Sequence, residues 1–132
     1  MTATDRGSFR AVARVHGDRT VVEVTGEVDA RSCVQLQHLL TAVLADAGVE
    51  LVLDLAAVTF LDSSGLRTLL HAHDLGRDRQ VTVRVVHPST AVRRVLVWTG
   101  LDHVLGVDEV ADAGAGAADA TGGTAGDADP LR

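Results

Sequence analysis

Residues 51–70 read LVLDLAAVTFLDSSGLRTLL. Leu51 to Leu55 is almost continuously apolar, the composition of a short strand covered on both faces in a parallel sheet. After a short link, Asp62-Ser63-Ser64-Gly65 leads into an amphipathic helix marked by Leu66, Leu69, Leu70 and His73 and closed by Gly76. Two serines therefore stand at a helix N-terminus near the end of a buried strand, where open α/β sheets gather their ligand and partner sites. Such an end presents unpaired N–H groups and a partial positive charge. Asp62 or Ser63 can cap it, and on these residues alone capping is the simpler reading of the four-residue segment.

The same alternation of strand and helix extends in both directions. Phe9, Ala11, Ala13 and Val15 recur at strand spacing, His16-Gly17-Asp18-Arg19 reads as a turn, and Thr20 to Thr25 forms a second strand, giving a hairpin. Asp29 is placed to cap a helix starting at Ala30, whose apolar positions are Cys33, Leu36, Leu40, Val43, Leu44 and Ala47, with Gly48 as its left-handed end. Downstream, Val81, Val83 and Val85 alternate with Thr82 and Arg84 in a further strand. Pro88 precedes a third helix carrying Val92, Val95, Leu96 and Thr99, with Gly100 as its cap and Leu101 as the apolar contact after it. His103 to Val107 adds an edge strand or a last turn of helix. The order β-β-α-β-α-β-α predicts an α/β domain with a mixed sheet of four to five strands and three to four helices. Residues 1–8 read as a flexible N-terminal arm, 9–110 as the domain, and the Ala/Gly/Asp-rich 111–132 as a disordered tail.

Composition removes several function classes. The chain has 132 residues, suited to one domain, and 46% of them are apolar, enough for a core. Net charge is −6 and no basic run stands out, which argues against a nucleic-acid footprint or a membrane-surface helix. Two Phe, one Trp and no Tyr leave little for a base-stacking platform. No apolar run approaches the roughly 20 residues of a membrane span, and residues 1–10 lack a signal-peptide core, so a cytoplasmic location is expected. The single cysteine, Cys33, reads as a small buried hydrophobe.

Three segments together resemble the STAS family, named for sulfate transporters and anti-sigma-factor antagonists. Asp62-Ser63-Ser64-Gly65 resembles the family's phosphorylation loop, and Thr25-Gly26-Glu27-Val28-Asp29 its Gly-Glu-hydrophobic-Asp segment. Pro88 to Leu96, with Thr99-Gly100-Leu101, resembles its third helix and the Gly-Leu that follows. The resemblance spans roughly residues 9–110 and implies a single STAS-like domain. In the antagonist branch it makes Ser63 the phosphoacceptor. Ser64 becomes a loop or capping neighbour, and Asp62 the residue that shapes the loop and meets the kinase. Asp29 becomes part of the partner surface, and Gly65 the point of close backbone approach. Arg67 and His71, one and two helical turns further on, border that surface or are ordinary solvated positions.

The resemblance further implies a cycle. The unmodified protein binds an anti-sigma factor of the histidine-kinase-like ATPase type and frees its sigma factor. The anti-sigma factor then phosphorylates Ser63 and lets go, and a metal-dependent serine phosphatase resets the switch. No cofactor, resident metal, nucleic acid or membrane is implied. One departure is a short or missing C-terminal helix, for which only Val107 to Ala111 is available.

Rival readings are an enzyme, a small-ligand module, and a STAS scaffold of a stress-signalling or lipid-transport complex without a kinase switch. Six histidines are scattered, and metal-protease, CxxC, phosphate-loop and GxSxG patterns are all missing, so catalysis has no support in the sequence. No residue set specifies a small ligand. The intact DSSG segment favours the switch over a scaffold.

Overall fold

The structure, a computed structural model, describes residues 2–6, 8–46 and 48–107. Its elements are β1 (Thr2–Arg6), β2 (Phe9–His16), β3 (Arg19–Val28), α1 (Ser32–Leu44), β4 (Glu50–Leu61), α2 (Ser63–Asp78), β5 (Thr82–Val86) and α3 (Thr90–Thr99). They build one sheet in the order β1-β2-β3-β4-β5, antiparallel through β3 and parallel from β3 to β5. The expected α/β order is present with one strand added. Thr2–Arg6, read from the sequence as an arm, pairs with β2 from Thr2↔Ala13 to Arg6↔Phe9. Its residues, TATDR, carry no apolar alternation, so only tertiary pairing reveals it.

Alternation within the strands builds the core. Phe9, Ala11 and Ala13 of β2, Val22 and Val24 of β3, Leu51 and Leu53 of β4, and Val83 and Val85 of β5 are all buried in one cluster. Leu36, Leu40 and Leu44 of α1 join them, with Leu69 and Ala72 of α2, and the two helices pack against each other. Each fully buried Leu or Val contributes about 1.5–3 kcal/mol relative to exposure. Alternate residues of the same strands carry ion pairs: Arg14 to Glu23 at 2.8 Å and Arg84 to Glu50 at 2.7 Å.

β4 is longer than expected. It continues through Ala56–Leu61, read from the sequence as a link, and stays paired with β3 across two register shifts. Beyond Leu55 its buried residues are Val58 and Leu61, a spacing of three rather than two. Bulges hide this half of the strand from any search for period two.

The helix ends differ in detail. α1 begins at Ser32 rather than Ala30, although the Cys33 N–H already reaches the Asp29 carbonyl at 2.8 Å. Gly76 does not close α2. It is buried inside the helix where a Cβ would lie 2.7 Å from both the Val81 carbonyl and Val83 Cγ2, so it serves close helix–strand packing. α3 ends as expected: Gly100 is left-handed, and the Leu101 N–H reaches the Leu96 carbonyl at 2.9 Å. The next segment is neither edge strand nor helix but a series of turns. Leu105 is fully buried there and its carbonyl accepts the Val85 N–H at 3.2 Å. The tail and most of the expected final helical turn, from 108 onward, lie outside the described residues.

Candidate functional site

β3 and β4 pair to their last residues, Val28↔Leu61, so the segments after them emerge side by side. The Asp62 N–H donates to the Val28 carbonyl at 3.3 Å, joining the loop after β4 to the loop after β3. Gly65 makes this approach possible. A Cβ there would lie 2.6 Å from Leu61 Cδ1, 2.7 Å from Val28 Cγ1 and 2.9 Å from the Val28 carbonyl. The carbonyl belongs to a paired strand and has little room to give.

Asp62 is the N-cap of α2. It stands in extended backbone, and its Oδ1 accepts the Gly65 N–H at 3.0 Å. Of the two residues able to cap this helix, Asp62 does so, and Ser63 is left exposed as the first helical residue. Ser64 is half-buried, with its carbonyl accepting the Thr68 hydroxyl at 3.1 Å. The N–H groups of Ser63 and Ser64 fall in the first turn, where an α-helix provides no internal acceptor.

Asp29 organises the neighbouring loop. Its Oδ1 accepts the N–H groups of Arg31 and Ser32, each at 2.9 Å. The Ser32 hydroxyl donates to the Glu27 carbonyl at 2.7 Å and accepts the Asp29 N–H at 3.0 Å. The Ser32 amide, foremost, holds the Asp29 carboxyl below its ordinary range. Partial desolvation opposes this, while the Arg31 amide, the Ser32 hydroxyl and the Arg31 charge assist it. Ser32 escaped the sequence reading. The Asp-x-x-Ser spacing from Asp29 was the available signal.

Arg67 and His71 are exposed on α2 and line a groove against α1 with Cys33, Gln37, Ser64 and Thr68. Cys33 is therefore not the fully buried hydrophobe expected; it is half-buried at the groove wall, with Sγ 3.4 Å from the Ala30 carbonyl. The structure thus gathers Asp62, Ser63, Ser64 and Gly65 against the loop carrying Asp29, and sets Arg67 one turn behind. Phe60, which the sequence reading passed over, is 47% exposed on the last stretch of β4. Among the described residues, no group of three or more His, Cys, Asp or Glu side chains could hold a metal ion.

A family model described as "Mlab, STAS domain" matches residues 12–107. The chain belongs to the STAS domain family. Within that family it is similar to the anti-sigma-F factor antagonist RsfB of Mycobacterium tuberculosis, with 33% identity over 102 residues, 77% of this chain and 81% of the relative. It is 28% identical over 93 residues to an anti-sigma-B factor antagonist of Listeria monocytogenes, covering 70% of this chain and 82% of that one. A crystal structure of an anti-sigma factor antagonist from Mycobacterium paratuberculosis superimposes with a TM-score of 0.70 at 31% identity, covering 89% of this chain and 96% of the other. The STAS fold expected from the three sequence segments is therefore the fold of the chain. No helix among the described residues is long and apolar enough to cross a membrane.

Proposed function

We propose that this STAS protein is an anti-sigma-factor antagonist whose Ser63 is a phosphorylation switch. One observation carries the switch: Ser63 is the exposed first residue of α2, free of the capping duty that Asp62 performs, on a loop held against the Asp29 segment. The names of its relatives support the partner class. In this reading the unmodified protein binds an anti-sigma factor of the histidine-kinase-like ATPase type, and the sigma factor is released. The anti-sigma factor transfers phosphate from ATP to the Ser63 hydroxyl and dissociates, and a metal-dependent serine phosphatase restores the hydroxyl. The protein acts by binding and is a substrate rather than an enzyme. It works in the cytoplasm, where sigma factors act, and a stress response is the expected output.

The physical basis is charge and volume. Phosphorylation adds about −1.5 to −2 charges at neutral pH. Within the free domain the first-turn amides tolerate that charge. Under a closely packed partner, the phosphate must lose water beside the Asp62 carboxylate, which opposes binding. Asp29, Asp62, Ser64, Gly65 and Arg67 then belong to the partner surface: Asp29 and Gly65 set its shape, and Arg67 lies at its border.

A scaffold role in a stress-signalling or lipid-transport complex without a kinase switch is the second reading, since membership of the STAS family does not by itself require phosphorylation. Binding separates the two. Ser63→Ala should hold an ATPase-type anti-sigma factor in the presence of ATP, and Ser63→Asp should bind it at least about a hundredfold more weakly than the unmodified protein. Equal binding by both variants, or no binding by either, contradicts the switch and leaves the scaffold.

A further inference from the structure

We infer that Phe60 is an anchoring residue through which the anti-sigma factor grips the Ser63 surface. The inference rests on the proposed function and adds a residue that neither the sequence motifs nor the resemblance assigns. Phe60 stands two positions before Asp62, and the second bulge of β4 determines where it points. That bulge leaves Thr59 unmatched between the pairs Gly26↔Val58 and Glu27↔Phe60. Regular alternation from buried Val58 would turn Phe60 inward and Leu61 outward. Instead Leu61 is 6% exposed and Phe60 47%, whereas Phe9, the other phenylalanine, is 1% exposed. Bulges beside functional sites re-aim side chains in this way. Turning an aromatic ring toward water forgoes part of its burial within the fold.

The ring stands three residues before Ser63, on the strand that leads into the switch loop. Phe60 pairs with exposed Glu27, and the next pair, Val28↔Leu61, leads directly to the Val28 carbonyl that receives the Asp62 N–H. The exposed ring, the Ser63 hydroxyl and the carboxylates of Glu27 and Asp62 thus lie within one short stretch of the β3 and β4 ends. A partner that reaches from Ser63 around the ends of β3 and β4 also covers the ring. The complementary surface is an apolar pocket for Phe60 with cationic side chains at its rim, facing Glu27 and Asp62. Aromatic side chains that become fully desolvated at the centre of an interface carry a disproportionate share of binding energy.

The test is titration of purified ATPase-type anti-sigma factors from the same genome against the full-length protein and its variants. Phe60→Ala should weaken binding at least about tenfold, Phe60→Leu less, and Trp98→Ala should stay within about twofold. Trp98 is the control because it is 89% exposed on a different element, α3. Thermal unfolding of Phe60→Ala confirms that the domain is intact. Hydrogen exchange of the wild-type complex provides a readout independent of any variant, with new protection expected across residues 58–65. If Phe60→Ala binds like wild type while Ser63→Asp does not bind, the anchor is wrong and the switch stands. If wild type binds no anti-sigma factor, the proposed function fails and the anchor with it. If Phe60→Ala instead dissolves a homodimer and leaves anti-sigma binding unchanged, the ring serves self-association and the inference is overturned.

Discussion

Two serines stand at the starts of two helices, each close behind an aspartate, and the fold treats them in opposite ways. Ser32 at the start of α1 is buried, its hydroxyl engaged by the Glu27 carbonyl and the Asp29 N–H. Ser63 at the start of α2 is exposed, and the neighbouring Asp62 has taken the capping role. In both places a carboxylate accepts first-turn amides. The difference is that the start of α1 commits its hydroxyl to structure, whereas the start of α2 leaves its hydroxyl available. A kinase can reach a hydroxyl only where the fold does not use it, so one helix start is a brace and the other, under the proposed function, a switch. Gly65 joins them by letting the switch loop lie against Val28.

Breaking that junction should have the largest effect on the domain. Gly65→Ala places a methyl group against the Val28 carbonyl and should cost about 1–3 kcal/mol, read by denaturant unfolding, while displacing the Ser63 loop from the Asp29 segment. An unchanged midpoint would mean that the loops are not locked together. Removing the brace comes next. Ser32→Ala leaves the Asp29 N–H and the Glu27 carbonyl without the hydroxyl between them and should cost about 1–2 kcal/mol. For a domain of this size that is a fall in Tm of roughly 4–8 °C per kcal/mol.

The smallest expected effect is on pH dependence. The Asp29 carboxyl is lowered in the folded state, chiefly by the Ser32 amide, so its stabilising contribution is present above the unfolded value of about 3.9. That contribution is lost as pH falls through the folded value. Stability measured from neutral pH into the acid range should therefore fall less steeply for Asp29→Asn than for wild type.

Much of this was legible in the sequence. The hairpin, the three helices and the apolar strand at Leu51–Leu55 followed from spacing, and Asp62, Ser63 and Gly65 from one four-residue segment. The unread parts have physical causes. β1 has no apolar face to signal it and exists by pairing with β2. The second half of β4 is bulged, so its inward residues do not alternate, and Phe60 on the same stretch looked like part of a link. Gly76 resembled a helix end because a glycine required by packing and one required by a left-handed cap are the same letter. Ser32 was hidden because its role depends on the Glu27 carbonyl, five residues upstream.

The most direct test of the contrast between the two helix starts is to incubate the protein with ATP, Mg²⁺ and the anti-sigma kinases of the same genome and to map phosphate by mass spectrometry, with Ser63→Ala in parallel. Phosphate is expected on Ser63, with none on Ser32 or Ser64 and no labelling of Ser63→Ala. Phosphate on Ser64 or Ser32, or equal labelling of Ser63→Ala, would contradict it.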